Sequence, residues 1–171
     1  TGVQTCALPI YEDQQVVHIP EDVARKALET VPREFYLYNR DGEPTVHYGG
    51  DSVHFDPGSS GVNILDADTL KHRPATTQDL VKVIKTADSL WQYDAQSTSV
   101  VCSEVPKEIG DLYRLYLVLM FSKKPVVTGA FTTQNTSAMI DMLAIFAGGR
   151  DALAKKPTAV FDVCPSPPLI W

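Results

Sequence analysis

Pro125-Val-Val-Thr-Gly-Ala-Phe131, the run Thr136 to Ala147, Gly148-Gly149 and Thr158-Ala-Val-Phe-Asp-Val163 follow one another in that order, and their reading decides the fold. The first is a short uncharged run of β-branched and aromatic residues, which suits a buried strand. The second carries apolar residues at helical spacing, and the two glycines close it because they reach the left-handed conformation that ends helices. A helical turn from Asp151 to Lys156 follows, and Pro157 introduces a strand over Ala159 to Val163. The two strands begin about 30 residues apart, the length of one βα unit. Upstream the pattern repeats, with a strand within Tyr93–Val101 and a helix over Pro106–Phe121 that places Ile109, Leu112, Tyr113, Tyr116 and Met120 on one face as its core side. Before these, Thr76-Thr-Gln-Asp79 reads as a capping box, and Leu80, Val83, Ile84, Ala87 and Leu90 recur at helical spacing.

Strands alternating with helices predict an α/β fold with a parallel sheet covered by helices. A closed TIM (β/α)8 barrel needs roughly 200 residues or more, so the stretch 51–171 would hold about half of one. The expected organisation is a partial TIM (β/α)8 barrel over 51–171, preceded over 11–50 by an N-terminal helix and β-hairpin extension. In that extension Val16 to Pro20 is extended. Pro20, Glu21 and Asp22 suit the first turn of a helix with Val23, Ala27, Leu28 and Val31 along one stripe, and Pro32 ends it. Phe35–Tyr38 and Thr45–Tyr48 flank Asn39-Arg-Asp-Gly42, a hairpin signal. Ser52–Phe55 reads as a short strand leading into Asp56-Pro-Gly-Ser-Ser-Gly61, and Val62–Leu65 with Leu70–Arg73 as a second small hairpin. Thr1–Ile10 back-translates readily to ACT GGA GTT CAG ACG TGT GCT CTT CCG ATC, a common sequencing-library adapter. These residues are therefore expected to be a non-native leader and are set apart from fold reasoning.

Composition narrows the function classes. A net charge of −6 disfavours nucleic acid as a partner, since phosphate binding needs a basic face. No apolar run approaches a membrane span; Leu115 to Phe121 is the longest and far too short. Apart from Cys6, only Cys102 and Cys164 occur, far apart and without metal-ligand spacing. That usage predicts a reducing, cytoplasmic setting and no zinc site. His18, His47, His54 and His72 show no ligand spacing either.

Several motifs in order resemble one family. His18-Ile-Pro-Glu21, Ala24-Arg-Lys-Ala-Leu28, Pro32-Arg-Glu-Phe35 and the Asn39–Gly42 turn are similar to the N-terminal region of the trimethylamine methyltransferase family. Cys164-Pro-Ser-Pro-Pro-Leu169 resembles a loop of that family that leaves a barrel strand. The resemblance covers 11–171 and matches about the first third of a member. It implies a TIM-barrel enzyme that takes methyl from a methylated or quaternary amine, of the trimethylamine or glycine betaine type. The methyl passes to the cobalt of a corrinoid (cobalamin) supplied by a separate corrinoid protein, so no cofactor is bound directly. It also implies a homo-oligomer at full length. Some members carry pyrrolysine, at a position that would fall beyond Trp171.

Such a transfer asks the site to orient a cation and exclude water. Aromatic faces suit a methylammonium, and donors suit a betaine carboxylate. Aromatic candidates near strand exits are Phe55 and Phe131, with Tyr93 weaker. Polar candidates are Gln96, Ser97 and Thr98 on one strand, Thr128 and Gly129 on the next, and Ser166 in the final loop. Of these, Phe55, Gln96, Thr98, Thr128, Phe131 and Ser166 are the predicted substrate-binding residues; no catalytic residue is assigned. Asp56–Gly61 lacks the Lys of a phosphate loop and reads as a turn, and Cys164 reads as a buried thiol rather than a nucleophile. The alternatives are a non-catalytic betaine-binding barrel module and another TIM-barrel lyase or aldolase.

A half barrel would leave its last strand as an unpaired edge. The chain expressed alone is therefore expected to dimerise or precipitate on size exclusion. A concentration-independent monomer peak with cooperative unfolding is the contrary result.

Overall fold

The computed structural model describes residues 19–163 together with the backbone of Ile10–Tyr11 and Val16–Val17. The chain divides into two units, with the boundary between Arg33 and Glu34. In the first, Ile10–Tyr11 (β1) pairs antiparallel with Val16–Val17 (β2), Ile10 opposite Val17. Ile10, grouped with the leader on sequence, thus shares a ladder with Val17. A helix, Glu21–Glu29 (α1), has Glu21 and Asp22 in its first turn and Lys26 in its last, the charge order its dipole favours.

The second unit is built on a parallel sheet. Gln96–Ser97 (β7), Val126–Thr128 (β8) and Ala159–Phe161 (β9) lie side by side in chain order. Gly61 adds a parallel bridge to Val100, beyond the end of β7. Before the sheet come two antiparallel pairs, Phe35–Tyr38 (β3) with Pro44–Tyr48 (β4), and Asn63–Leu65 (β5) with His72–Pro74 (β6). Helix Thr77–Ser89 (α2) leads into β7, and Gly110–Phe121 (α3), entered through a 3-10 turn at Lys107–Ile109, links β7 to β8. Helices Thr133–Ala147 (α4) and Arg150–Lys155 (α5) link β8 to β9.

Alternation along the strands sorts the two faces. Val100, Val126, Ala159 and Phe161 pack with Leu80 and Ile84 of α2, Leu115 and Val118 of α3, and Met139 and Leu143 of α4. Ala95, Val127 and Val160 instead pack with Leu37 and Val46, flanked by Phe35 and Tyr48. The helices therefore cover one face, and the β3–β4 hairpin covers the start of the other. Leu37 and Val46 stand opposite each other in the hairpin register and are almost wholly buried; each contributes on the order of 1.5–3 kcal/mol by leaving water.

Polar contacts fix the hairpin in place. The Tyr38 amide donates to Pro157 O at 2.8 Å, and the Arg40 amide to Lys123 O at 2.9 Å. The Arg40 guanidinium donates to the carbonyls of Leu119 and Ser122 at the end of α3 and lies 4.9 Å from the Phe146 ring centre. Lys156 Nζ donates to Gly42 O at 2.9 Å. The hairpin thus belongs with the sheet, whereas the sequence reading grouped it with the N-terminal helix up to residue 50.

Local chemistry accounts for the element ends. Thr132 Oγ1 accepts from the Asn135 amide at 3.1 Å and starts α4 three residues earlier than its apolar pattern. Gly148, at φ +86°, closes α4. Lys124 caps α2, donating to Ala87 O and Leu90 O, both at 2.8 Å. The β7 ladder is shorter than the strand expected within Tyr93–Val101, and Ser52–Phe55 forms no strand. The α3 stripe needs correction: its buried side carries Asp111, Arg114, Leu115, Val118 and Leu119, while Ile109, Tyr116 and Met120 are exposed. A helix apolar on most sides gives periodicity no means of choosing between faces. Among the described residues no helix is long and apolar enough to cross a membrane.

The start of α2 carries a linked charge network. Asp79 accepts from the Thr76 amide at 2.9 Å and its hydroxyl at 2.8 Å, and from both terminal nitrogens of Arg73 at 2.7 and 3.0 Å. Arg73 Nε also donates to Asp66 at 3.0 Å. The Arg73 guanidinium, foremost, holds the Asp79 carboxyl well below the usual carboxylate range. The Thr69 amide, then Arg73, hold Asp66 down to about 2. Both groups are depressed in the folded state, so their stabilisation is complete above roughly pH 4 and fades as pH falls toward 2. We expect Asp79→Asn to lower stability by about 1–2 kcal/mol near neutrality and to flatten the acid limb. Urea unfolding between pH 6 and pH 2.5 measures both; an unchanged acid limb contradicts the assignment.

Candidate functional site

Along the hairpin-covered face the chemistry changes in one step. Ser97, Val127 and Val160 form one row across the sheet, in register. The next row on this face, two residues further along each strand, is Ser99, Gly129 and Asp162. Beneath Gly129 and Asp162 the floor is Val127 and Val160, partly buried against Leu37 and Val46; the row above them is polar.

Each member is placed by the backbone. The Asp162 amide donates to Thr128 O at 2.8 Å, which extends the β8–β9 pairing to this level. A Cβ on Gly129 would lie 3.2 Å from Asp162 Oδ1 and 3.2 Å from Asp162 O. The carboxylate therefore leans across the neighbouring strand through space that only glycine leaves open. Ser99 is 7% exposed, and its Oγ has no partner among the described residues, an arrangement that calls for a ligand or a water. Ser97 Oγ is committed, donating to Gly58 O.

Three predicted residues lie on the other face. Gln96 donates from Nε2 to Ile84 O of α2 at 2.9 Å, and Thr98 and Thr128 share a hydrogen bond between hydroxyls at 3.2 Å. All three are buried in the layer between sheet and helices, in phase with Val100 and Val126. Phe131 does lie at a strand exit and is half exposed. Phe55 does not, because its carbonyl accepts from Asp94 and Ala95 ahead of β7, at the strand-start end; Tyr93 also precedes β7. Ser166 and Cys164 lie outside the described residues. The structure therefore brings Thr98 and Thr128 together behind the sheet, apart from Phe55.

A buried network underlies the strand exits. Asp111 accepts from the Phe131 amide at 2.8 Å and from Asn135 Nδ2 at 2.8 Å. Arg114, 1% exposed, donates to Thr98 O at 3.0 Å, with its guanidinium 4.9 Å from the Phe131 ring centre. Its Nε has no partner among the described residues. Burial, foremost, pulls the Arg114 pKa down, and the nearby Asp111 charge opposes that. Sequence reasoning missed this pair and Asp162. For Asp162 the signal was present, since it is in phase with Val160.

Other candidates recede. His54 bridges Asp94 Oδ2 and the His47 backbone, both at 3.0 Å, and so ties the hairpin to the strand starts. Asp56 Oδ1 accepts from the Gly58 amide at 2.7 Å, a local turn. Burial raises the Cys102 thiol pKa, which makes it a poor nucleophile. A cavity of about 130 Å³ lies at the strand-start end. Its cations Arg40, Lys123, Lys124 and Lys156 are engaged by carbonyls or Asp41. Among the described residues no group of His, Cys, Asp and Glu could hold a metal ion.

Removing Asp111 takes the acceptor from the Phe131 amide and from Asn135 Nδ2 and a nearby counter-charge from the buried Arg114. Asp111→Ala is expected to cost about 1–3 kcal/mol, and Arg114→Met in that background to recover part of it. Denaturant midpoints for the single and double variants measure the coupling; simple additivity is the contrary result.

Comparison with known sequences gives the chain's family. The profile of the trimethylamine methyltransferase (MTTB) family matches residues 8–171. The trimethylamine methyltransferase MttB of Desulfitobacterium hafniense strain DSM 10664 / DCB-2 is 26% identical over 155 residues, covering 91% of this chain and 31% of that protein. The glycine betaine methyltransferase of strain Y51 is 28% identical, over 84% of this chain and 30% of its own length. The trimethylamine methyltransferase MttB of Methanosarcina thermophila is 28% identical, over 92% and 34%. The chain therefore spans about a third of the length of these relatives. With the family profile running over nearly its whole length, the chain belongs to the trimethylamine methyltransferase family.

Proposed function

We propose that this chain is the N-terminal third of a (β/α)8 methyltransferase that moves a methyl group from a methylated or quaternary amine to the cobalt of a corrinoid protein. Family membership supports methyl transfer from an amine. Parallel strands in chain order with helices on one face support the barrel. The observation that carries the site is the polar row of Ser99, Gly129 and Asp162 over an apolar floor, at the strand ends where such barrels hold substrate. Cytoplasmic location and a homo-oligomer at full length complete the proposal.

For a quaternary ammonium, or for trimethylamine bound in its protonated form, the transfer balances without a further acid or base. The reduced cobalt of the acceptor supplies the electron pair for the new carbon bond. The carbon–nitrogen bond breaks, and nitrogen keeps that pair and leaves as a neutral amine. What remains for this chain's residues is to bind the ammonium, align one methyl outward and exclude water. Leu37 and Val46, which close the strand-start end, would do the last of these.

The test uses the full-length protein from this locus with reduced cobalamin or a corrinoid protein. Trimethylamine and glycine betaine are offered separately, and methylcobalamin is followed by absorbance. Methylation from at least one of the two is expected. Amine binding without transfer would favour a binding module, and neither binding nor transfer would refute the proposal.

A further inference from the structure

Asp162 is an exposed carboxylate one pleat beyond the apolar Val160. Among the described residues its carboxylate forms no ion pair with Lys, Arg or His. It projects from the same face as Val160, across Gly129, onto the row that holds the unpartnered Ser99 hydroxyl. Beneath it Val127 and Val160, partly buried against Leu37, present an apolar wall. A negative charge against a low-dielectric wall attracts a cation more strongly than one in open solvent. The wall disfavours a strongly hydrated ion and suits one clothed in methyl groups.

We propose that Asp162 is the counter-ion for the positive nitrogen of the methylated substrate, with Ser99 Oγ as a second oxygen on the same cation and Gly129 as the residue that leaves room for both. This rests on the methyl-transfer reading above and names the group that recognises the ammonium. A quaternary nitrogen has no N–H to donate, so recognition is by charge and by methyl–wall contact rather than by a directional hydrogen bond. Gly129 sets specificity: a methyl group there would lie 3.2 Å from Asp162 Oδ1, closer than ordinary contact, and would push the carboxylate off the row.

Choline and its neutral isostere 3,3-dimethylbutan-1-ol are the probes, titrated by calorimetry into the full-length protein and its variants. Wild type should bind the ammonium at least about tenfold more tightly than the alcohol. Asp162→Asn should remove that preference and leave alcohol binding unchanged. Gly129→Ala should weaken the ammonium selectively, and all variants should keep the wild-type unfolding midpoint within a few degrees. Equal ammonium affinity in wild type and Asp162→Asn, or no ammonium binding at all, overturns the proposal. Methyl transfer to cobalamin is assayed on the same preparations. Transfer with an Asp162→Asn KM equal to wild type sinks the role of Asp162 while the methyltransferase reading stands. Asp162-dependent ammonium binding without any transfer does the reverse.

Discussion

The packing of Leu37 and Val46 onto Ala95, Val127 and Val160 is the contact on which the rest of the second unit depends. A three-stranded parallel sheet with helices on one face has a second face that must also leave water. The hairpin supplies that cover at the strand starts only. Its turn then reaches the ends of α3 and α5 through Arg40 and Lys156, so the plug is bolted to the helical layer as well as to the sheet. With the strand starts sealed by apolar side chains, the strand ends are where a polar ligand can enter.

That asymmetry organises the chemistry. One pleat beyond the apolar floor the same face presents Ser99, Gly129 and Asp162, with the carboxylate held across a glycine. Behind the sheet, Arg114 and Asp111 fix the carbonyl of Thr98 and the amide of Phe131. Each buried charge is held by its own hydrogen bonds rather than by the other, and together they fix the exits of two neighbouring strands. Beyond the hairpin that face carries the Asp162 carboxylate, without an ion pair among the described residues, while Arg114 and Asp111 lie in the helical layer.

Much of this was legible in the sequence. The Asn39–Gly42 hairpin, the Thr76–Asp79 capping box, the order of strands and helices after residue 75 and the Gly148-Gly149 stop follow from local chemistry that tertiary packing does not overrule. The family was legible from motif order, and the profile match over 8–171 agrees with it. What failed was phase. In Gln96-Ser97-Thr98 every residue is polar, so alternation alone does not say which ones face the helices; the Ile84 carbonyl takes Gln96 and reverses the expected choice. In α3, apolar residues on most sides hid the side that carries Arg114 and Asp111. Phe55 was misplaced because the segment after it runs along the sheet only as far as a bridge at Gly61.

The hairpin and the sheet are expected to open as one cooperative body, and native-state hydrogen exchange tests that most directly. The amides of Tyr38, Gln96, Val126 and Asp162 bond respectively to the carbonyls of Pro157, Pro125, Thr158 and Thr128. If the hairpin seals the sheet, these amides open together with one free energy, the highest in the unit. If the Tyr38 amide exchanges orders of magnitude faster than those of Gln96, Val126 and Asp162, the hairpin is a loosely attached arm. The sealed floor beneath Asp162 would then be wrong.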